Sequence, residues 1–334
     1  MKNKKKYIVL VLVCAALLSL SAWASAAGTA QPTAGASKSF FSTWLPYIIA
    51  GISNGGQYAL IAIGYTMVYG ILRLINFAHG DIFMCAGLMM VYLSATMPVY
   101  VSIPIVLALT VLLGFLVERF AYKPLRNAPR MSVMISAIGV SYLLQNFAWY
   151  ATGGLAKQYP TIGFLTKTVQ LGTLQVKMVT FITPVLTIAL VLLLQLLIKK
   201  TKIGTAMRAV SFDFETSRLM GVKINSVISV TFIIGSFLAA VGSILFFSAY
   251  TSVTPTVGAM PGLKAFVAAV FGGIGSVPGA VIGAFVIGIV ENIIKGISSG
   301  EYSTFSDAFT FALLIIILVV KPTGLFGENL KEKV

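Results

Sequence analysis

The chain has 334 residues, of which 58% are hydrophobic and only 10% charged, with a mean hydropathy of +0.95; that balance excludes an ordinary soluble domain and fits a membrane bundle. The net charge of +15 does not signal nucleic acid, because the lysines and arginines sit in gaps between apolar runs, not on a solvated face with interleaved aromatics. Cys14 and Cys85, the two cysteines, both fall inside apolar segments, so no disulfide framework or thiolate metal site follows.

The chain opens with Met1-Lys-Asn-Lys-Lys-Lys6, then the apolar run Tyr7–Leu20 and small residues ending at Ala24-Ser25-Ala26. This describes a signal peptide over residues 1–26, with an uncleaved N-terminal helix as the alternative. Residues 27–42 read as a flexible linker rich in Ala, Thr, Gly and Ser around Pro32. The body, 43–327, carries apolar segments at Thr43–Leu72, Ile82–Met97, Ile103–Ala121, Val133–Ala151, Val179–Ile198, Val227–Tyr250, Leu263–Ile297 and Phe305–Val320. Nothing in these runs alternates as a barrel strand would. They predict an all-α integral membrane protein, a bundle of about eight transmembrane helices with broken or re-entrant segments.

Charge sets the orientation. Arg119, Lys123, Arg126 and Arg130 cluster between two spans, as do Lys199, Lys200, Lys202, Arg208, Arg218 and Lys223. Both clusters mark cytoplasmic loops, and the 152–177 loop with Gly153, Gly154 and Pro160 then lies outside. Lys321, Lys331 and Lys333 place the C-terminus and the short tail 328–334 in the cytoplasm, which requires Leu263–Ile297 to cross twice or re-enter.

Two stretches interrupt the apolar pattern. Gly272-Gly273-Ile274-Gly275-Ser276-Val277-Pro278-Gly279 is either a pathway wall or a tight interfacial turn. Gly275, Gly279 and Gly283 recur every fourth residue, the spacing of a close-packed helix face. Arg73-Leu-Ile-Asn76-Phe-Ala-His79-Gly80-Asp81 is the second break. Two interrupted segments in corresponding halves mark an inverted-repeat transporter, although the halves show no residue-level similarity. An ionisable group inside an apolar span costs about 2.5–3.5 kcal/mol on insertion scales and usually has a role or a partner. Asp81 can balance a substrate ammonium while Asn76 and His79 hydrogen-bond a carboxylate; alternatively Asn76 and Asp81 cap a helix starting near Ile82 with His79 tied to a backbone carbonyl. Glu291 and Asn292 read as interfacial, near Lys295.

The loop Gly204–Val222 reads as a short amphipathic helix of mixed charge, with Gly221 as its stop. Such an element is either a surface helix or a docking element for a soluble partner. There is no G-x-x-x-x-G-K-[ST], so the chain has no P-loop of its own. Gly51-Ile52-Ser53-Asn54-Gly55 matches the serine-hydrolase pattern only by accident, being embedded in an apolar span without strand–turn–helix context. One histidine and no acidic cluster leave no catalytic or metal site.

Gly56 through Ile71, followed by Ile75-Asn76-Phe77-Ala78-His79-Gly80-Asp81, is similar to the signature of branched-chain amino-acid ABC transporter permeases. The resemblance continues at Ile135–Gly139 through Gln145-Asn146, at Gly204–Gly221, from Lys264-Ala265-Phe266 to Ala280 and at Lys321–Gly327, covering Pro46 to Gly327. It implies a non-enzymatic importer subunit in the cell membrane. Its partners would be a second permease subunit, two ABC ATPase subunits that use the ATP, and an extracytoplasmic substrate-binding protein. Leucine, isoleucine and valine are the implied substrates; relatives carry urea, short amides or other amino acids. On this resemblance Gly204, Arg208, Asp213, Glu215, Arg218, Leu219 and Gly221 form the ATPase-coupling loop, although Thr216 and Ser217 stand where the family has alanines. Asn76, His79, Gly80, Asp81, Gly272, Gly273, Gly275, Ser276 and Pro278 are the candidate pathway residues. The rival class is a secondary transporter or channel in which Asp81 and His79 relay a proton without ATPase subunits.

Overall fold

A computed structural model describes residues 40–126, 128–171, 174–297, 305–321 and 323–326. The signal-peptide or N-terminal-helix segment, nearly all of the linker and the tail lie outside them. The described chain is mostly helical: α1 (Phe40–Leu72), α2 (His79–Ser94), α3 (Val99–Val117) running into a π turn (Glu118–Tyr122), α4 (Arg130–Thr152), α5 (Met178–Lys200), α6 (Lys202–Phe212), α7 (Phe214–Leu219), α8 (Ile224–Ala249), α9 (Ala259–Gly272), α10 (Val277–Ile297) and α11 (Ser306–Val320). Among the described residues five helices are long and apolar enough to cross a membrane: Val99–Tyr122, Arg130–Thr152, Met178–Lys200, Ile224–Ala249 and Val277–Ile297. The predicted single run Leu263–Ile297 is divided into α9 and α10, as its glycines require. Four short strands depart from an all-α reading. β1 (Lys157–Gln158) pairs antiparallel with β4 (Ser252–Val253), and β2 (Thr168–Leu171) forms a hairpin with β3 (Leu174–Lys177). They lie in connections between spans, where Thr168-Val-Gln-Leu and Leu174-Gln-Val-Lys alternate at the strand period.

One end of the bundle is basic. Arg73 follows α1, Arg119 lies on the π turn with Lys123 and Arg126 beyond it, Arg130 opens α4 and Lys199 and Lys200 close α5. The opposite end holds the strands and the Tyr92 hydroxyl, which donates to the Ala151 carbonyl at 2.6 Å.

Helix α2 does not start at the basic end. The His79 ring lies against Gly64 and within 3.6 Å of a Cβ built on Gly235, and these glycines sit in the interiors of α1 and α8. Residues 73–78 therefore carry the chain back into the bundle, and α2 begins part-way through it. Helix α9 begins beside it: a Cβ on Gly80 would come 2.7 Å from the Gly258 carbonyl oxygen and 3.1 Å from Gly262 Cα. From there α9 runs to the basic end, where Gly275 of the following turn lies beside Gly70 near the end of α1. Two half-helices thus meet N-terminus to N-terminus and run apart.

The packing repeats with the halves exchanged. Helix α1 packs on α8, α9 and α10, while α8 packs on α1, α2 and α3; α2 pairs with α3 and α4, and α9 with α10 and α11. Because α1 ends at the basic end and α8 starts there, the exchange inverts the direction across the bundle, which is the organisation of an inverted repeat. The counterpart of the Arg73–Ala78 break is therefore 250–258, ahead of α9. The Gly272–Gly279 break corresponds instead to the α2–α3 turn.

Overpacking a tight contact costs about 1–3 kcal/mol. Gly80→Val, which forces a branched side chain onto the Gly258 and Gly262 backbones, is expected to lower the thermal midpoint of the detergent-purified protein by several degrees, whereas Gly139→Val, whose Cβ would meet nothing within 4 Å, leaves it unchanged.

Candidate substrate pathway and coupling surface

At the centre, the Asn76 side-chain oxygen accepts a hydrogen bond from the Tyr122 hydroxyl at 2.9 Å. His79 pairs with the Ile61 carbonyl and its Nε2 is buried without a partner, with the Tyr65 ring edge-on at 5.0 Å. Its tie to a backbone carbonyl is as the sequence suggests. The capping role for Asn76 and Asp81 is not what the structure shows: α2 starts three residues earlier than Ile82, after Ala78, with no side-chain cap. Asp81 sits in the first turn, where a carboxylate complements the helix dipole. It accepts from two residues of α4, Ser141 Oγ at 2.5 Å and Gln145 Nε2 at 3.0 Å. These two stand one helical turn apart, so one carboxylate grips one face of α4. The rest of α4 exposes Met131, Ile135, Tyr142, Leu143 and Phe147, so Asp81 is a main polar tie between that helix and the bundle. The cavity beside Tyr65, Tyr69, Ile75, Phe266, Ala269 and Ile274 has about 10 Å³, room for no more than a water.

Glu291 is buried within the protein and lies beside Lys295, as the sequence suggests. It is 1% exposed, accepts from the Tyr58 hydroxyl at 3.0 Å, and pairs with Lys264 at 2.9 Å and Lys295 at 2.6 Å. Lys264 also reaches Asp307 at 2.6 Å. Two carboxylates and two ammonium groups thus join α9, α10 and α11, with Tyr58 of α1 closing the cluster. Sequence reasoning missed this site; the available signal was Lys264, a lone cation in an apolar run.

Of the Gly272–Gly279 break, Gly272, Gly273, Gly275, Ser276 and Pro278 gather at the basic end, apart from His79, Gly80 and Asp81. Gly273 (φ +106°) and Gly275 (φ +100°) take conformations that side chains resist. The carbonyls of Phe271 and Gly272 at the end of α9 accept from the Leu325 and Phe326 amides, both at 2.9 Å, and Ser276 Oγ accepts the Gly279 amide of α10 at 3.3 Å. Pro278 lies in the first turn of α10, where its missing N–H is no loss. Gly279 and Gly283 of the predicted stripe face Gly272 and Ala268 of α9, and Gly288, a little over one turn on, meets Gly51 and Gly55 of α1. The hydrolase-like Gly51-x-Ser53-x-Gly55 is therefore a helix-packing surface.

The predicted single loop helix is two. Gly204 is buried inside α6 and its amide is capped by Thr201 Oγ1 at 3.0 Å. Asp213 separates α6 from α7, accepting from the Thr216 amide at 3.1 Å and hydroxyl at 2.6 Å. Those hydrogen bonds hold its carboxyl below the usual range. Gly221, at φ +81°, ends α7 as predicted. Arg208, Glu215 and Arg218 are solvent-exposed, and beside them project Phe212, Leu219 and Met220, 82%, 86% and 80% exposed. Three large apolar side chains are held out among charges, the kind of exposed apolar patch that marks an interaction surface.

Among the described residues no group of three or more His, Cys, Asp or Glu is placed to hold a metal. Apolar helices with inverted half-helices meeting inside the bundle define a polytopic membrane transport protein. The model of the branched-chain amino acid transport system permease component matches residues 47–318, and the chain belongs to that family of transport permeases. It is 36% identical over 305 residues to the high-affinity branched-chain amino acid transport system permease protein BraD of Pseudomonas aeruginosa, covering 87% of this chain and 98% of that one. It is 38% identical over 308 residues to the protein of the same description, LivH, of Escherichia coli K12, covering 88% and 99%.

Two measurements test these contacts. Removing one partner of a buried ion pair strands the other, at about 3–5 kcal/mol. Lys264→Met and Glu291→Gln are each expected to destabilise the purified protein by that order, and the double variant by less than their sum, read from thermal unfolding. For Asp213 the folded pKa is depressed, so its contribution is complete above the unfolded value of about 4 and is lost as pH falls through the lower folded value. Amide exchange over residues 213–221 should match that of Asp213→Asn at neutral pH and become faster than in that variant only in strong acid.

Proposed function

We propose that this chain is a permease subunit of an ABC importer that moves leucine, isoleucine and valine across the cytoplasmic membrane. It acts with a second permease subunit, two ATPase subunits that hydrolyse ATP, and an extracytoplasmic binding protein; no cofactor is bound by this chain. The observation that carries the reading is the near full-length match to BraD and LivH. The basic end is cytoplasmic, which puts Gly204, Arg208, Asp213, Glu215, Arg218, Leu219 and Gly221 where an ATPase subunit would dock, with the C-terminus on the same side. Phe212, Leu219 and Met220 support that surface, since their exposure costs hydrophobic free energy until a partner covers them.

The conduit of this reading runs past the crossing of the two half-helices. Asn76, His79, Gly80 and Asp81 act at its mid-depth, where two half-helix N-termini favour a substrate carboxylate and Asp81 its ammonium. Gly272, Gly273, Gly275, Ser276 and Pro278 lie at its inner mouth. ATP closes one state by its differential affinity for the two arrangements of the docked subunits.

In proteoliposomes holding all the subunits, leucine uptake should require ATP and the binding protein and be competed by isoleucine and valine. Asp81→Asn should assemble normally and lower uptake at least tenfold. Uptake without the ATPase subunits would replace this reading with a secondary carrier; competition only by urea or short amides would replace the substrate.

A further inference from the structure

Arg73 is the one non-glycine residue with positive φ among the described residues, at +55°, a conformation uncommon for a long side chain. It sits where α1 ends and the re-entrant segment begins. Its guanidinium Nη2 donates to the Ser211 carbonyl at 3.1 Å. Ser211 belongs to the last turn of α6, whose carbonyls lack partners within the helix and carry its negative end. The first residue of the re-entrant segment is thus tied to the last turn of the docking loop's first helix.

The other end of that segment lies near the same loop. Phe214 of α7 shares a cavity of about 230 Å³ with Leu72, Leu74, Tyr122, Arg126 and Val133. Tyr122 in turn holds Asn76, whose carbonyl accepts the His79 amide at 3.1 Å. A shift of α6 therefore bears on residues 73–78 through Arg73, and those residues lead straight to His79 and Gly80 at the crossing of the half-helices.

We infer that Arg73 is a positioning residue that transmits movement of the α6–α7 loop to the re-entrant segment and the N-terminus of α2. Its φ is held where side chains resist it while the Ser211 bond persists. Displacement of α6 releases that bond, lets Arg73 leave the left-handed region, and redirects the backbone that sets the depth of α2. This rests on the reading that the α6–α7 loop docks an ATPase subunit.

The test uses the assembled transporter in proteoliposomes. Arg73→Gly removes the tether yet accepts φ +55°, so backbone strain cannot account for its effect. The expected result is normal co-purification of the ATPase subunits, basal ATP hydrolysis within twofold of wild type, and at least tenfold loss of both uptake and the hydrolysis stimulated by loaded binding protein. Arg73→Lys, which keeps a cationic donor, should recover part of both. Uptake within twofold of wild type in Arg73→Gly overturns the inference, and so does loss of the ATPase subunits from that variant, which would make Arg73 a support for the loop. If wild-type uptake itself needs no ATPase subunits, the underlying functional reading has failed as well, a result distinct from an intact, ATP-dependent Arg73→Gly transporter.

Discussion

The fold depends on one close approach: the backbones of Gly80, Gly258 and Gly262 in contact, with His79 fitted between Gly64 and Gly235. Irregular backbone is tolerated at membrane depth only where protein buries it. Ending two helices inside the bundle leaves first-turn amides that must find acceptors. Part of that demand is met locally, by the Asn76 carbonyl for His79, the Ala78 carbonyl for Asp81 and Ile82, and the Gly258 carbonyl for Gly262. Larger residues at these positions would separate the half-helices from α1 and α8 and leave a void that lipid cannot fill without exposing those amides.

The buried charges follow the same exchange of halves. Glu118, at the end of α3, is fully buried, pairs with Arg126 and accepts from Ser229 of α8 at 2.8 Å; Arg126 also holds Asn225. Glu291 of α10 pairs with lysines and accepts from Tyr58 of α1. Since α3 and α10 are counterparts, as are α8 and α1, each half uses a buried glutamate to bind the core helix of the other. An ion pair inside protein pays for its desolvation only when its remaining hydrogen-bonding capacity is met, and the hydroxyls of Ser229 and Tyr58 help to meet it.

What could be read from the sequence was set by period and punctuation. The apolar runs give the helices because hydrocarbon leaves backbone groups no other partner, and Gly221 gives the stop of α7 because its position demands positive φ. The depth of each break was not legible. Gly272–Gly279 and Arg73–Asp81 look alike as interruptions, yet one lies at the bundle's end and the other inside it. The true counterpart, 250–258, falls in the gap between Val227–Tyr250 and Leu263–Ile297 and, carrying no charged residue, reads as an ordinary connection between spans. Asp81 looked like a cap because Asp before an apolar run usually is one; its partners, Ser141 and Gln145, lie on another helix, and only tertiary packing brings them to it. The same holds for Lys264, Glu291 and Asp307, which are far apart in the chain.

The two half-helices also share a way of holding the periphery. Helix α2 carries Asp81 in its first turn and uses it to bind α4 through Ser141 and Gln145. Helix α9 carries Lys264 a little beyond its first turn and uses it to bind α11 through Asp307. Each peripheral helix is thus fastened to a half-helix by polar contacts, while the core of α1, α8 and the half-helices is packed glycine to glycine. Dense packing resists continuous deformation, whereas a few hydrogen bonds exchange partners at small net cost. Motion delivered from the basic end therefore has two routes in this architecture: rigid displacement of a half-helix with its fastened outer helix, or exchange of the polar contacts at Asp81 and Lys264. The first keeps Asp81 on α4 and Lys264 on Asp307; with α10 moving alongside α9 it also keeps the Lys264–Glu291 pair, and on that ground it is the motion the fold favours.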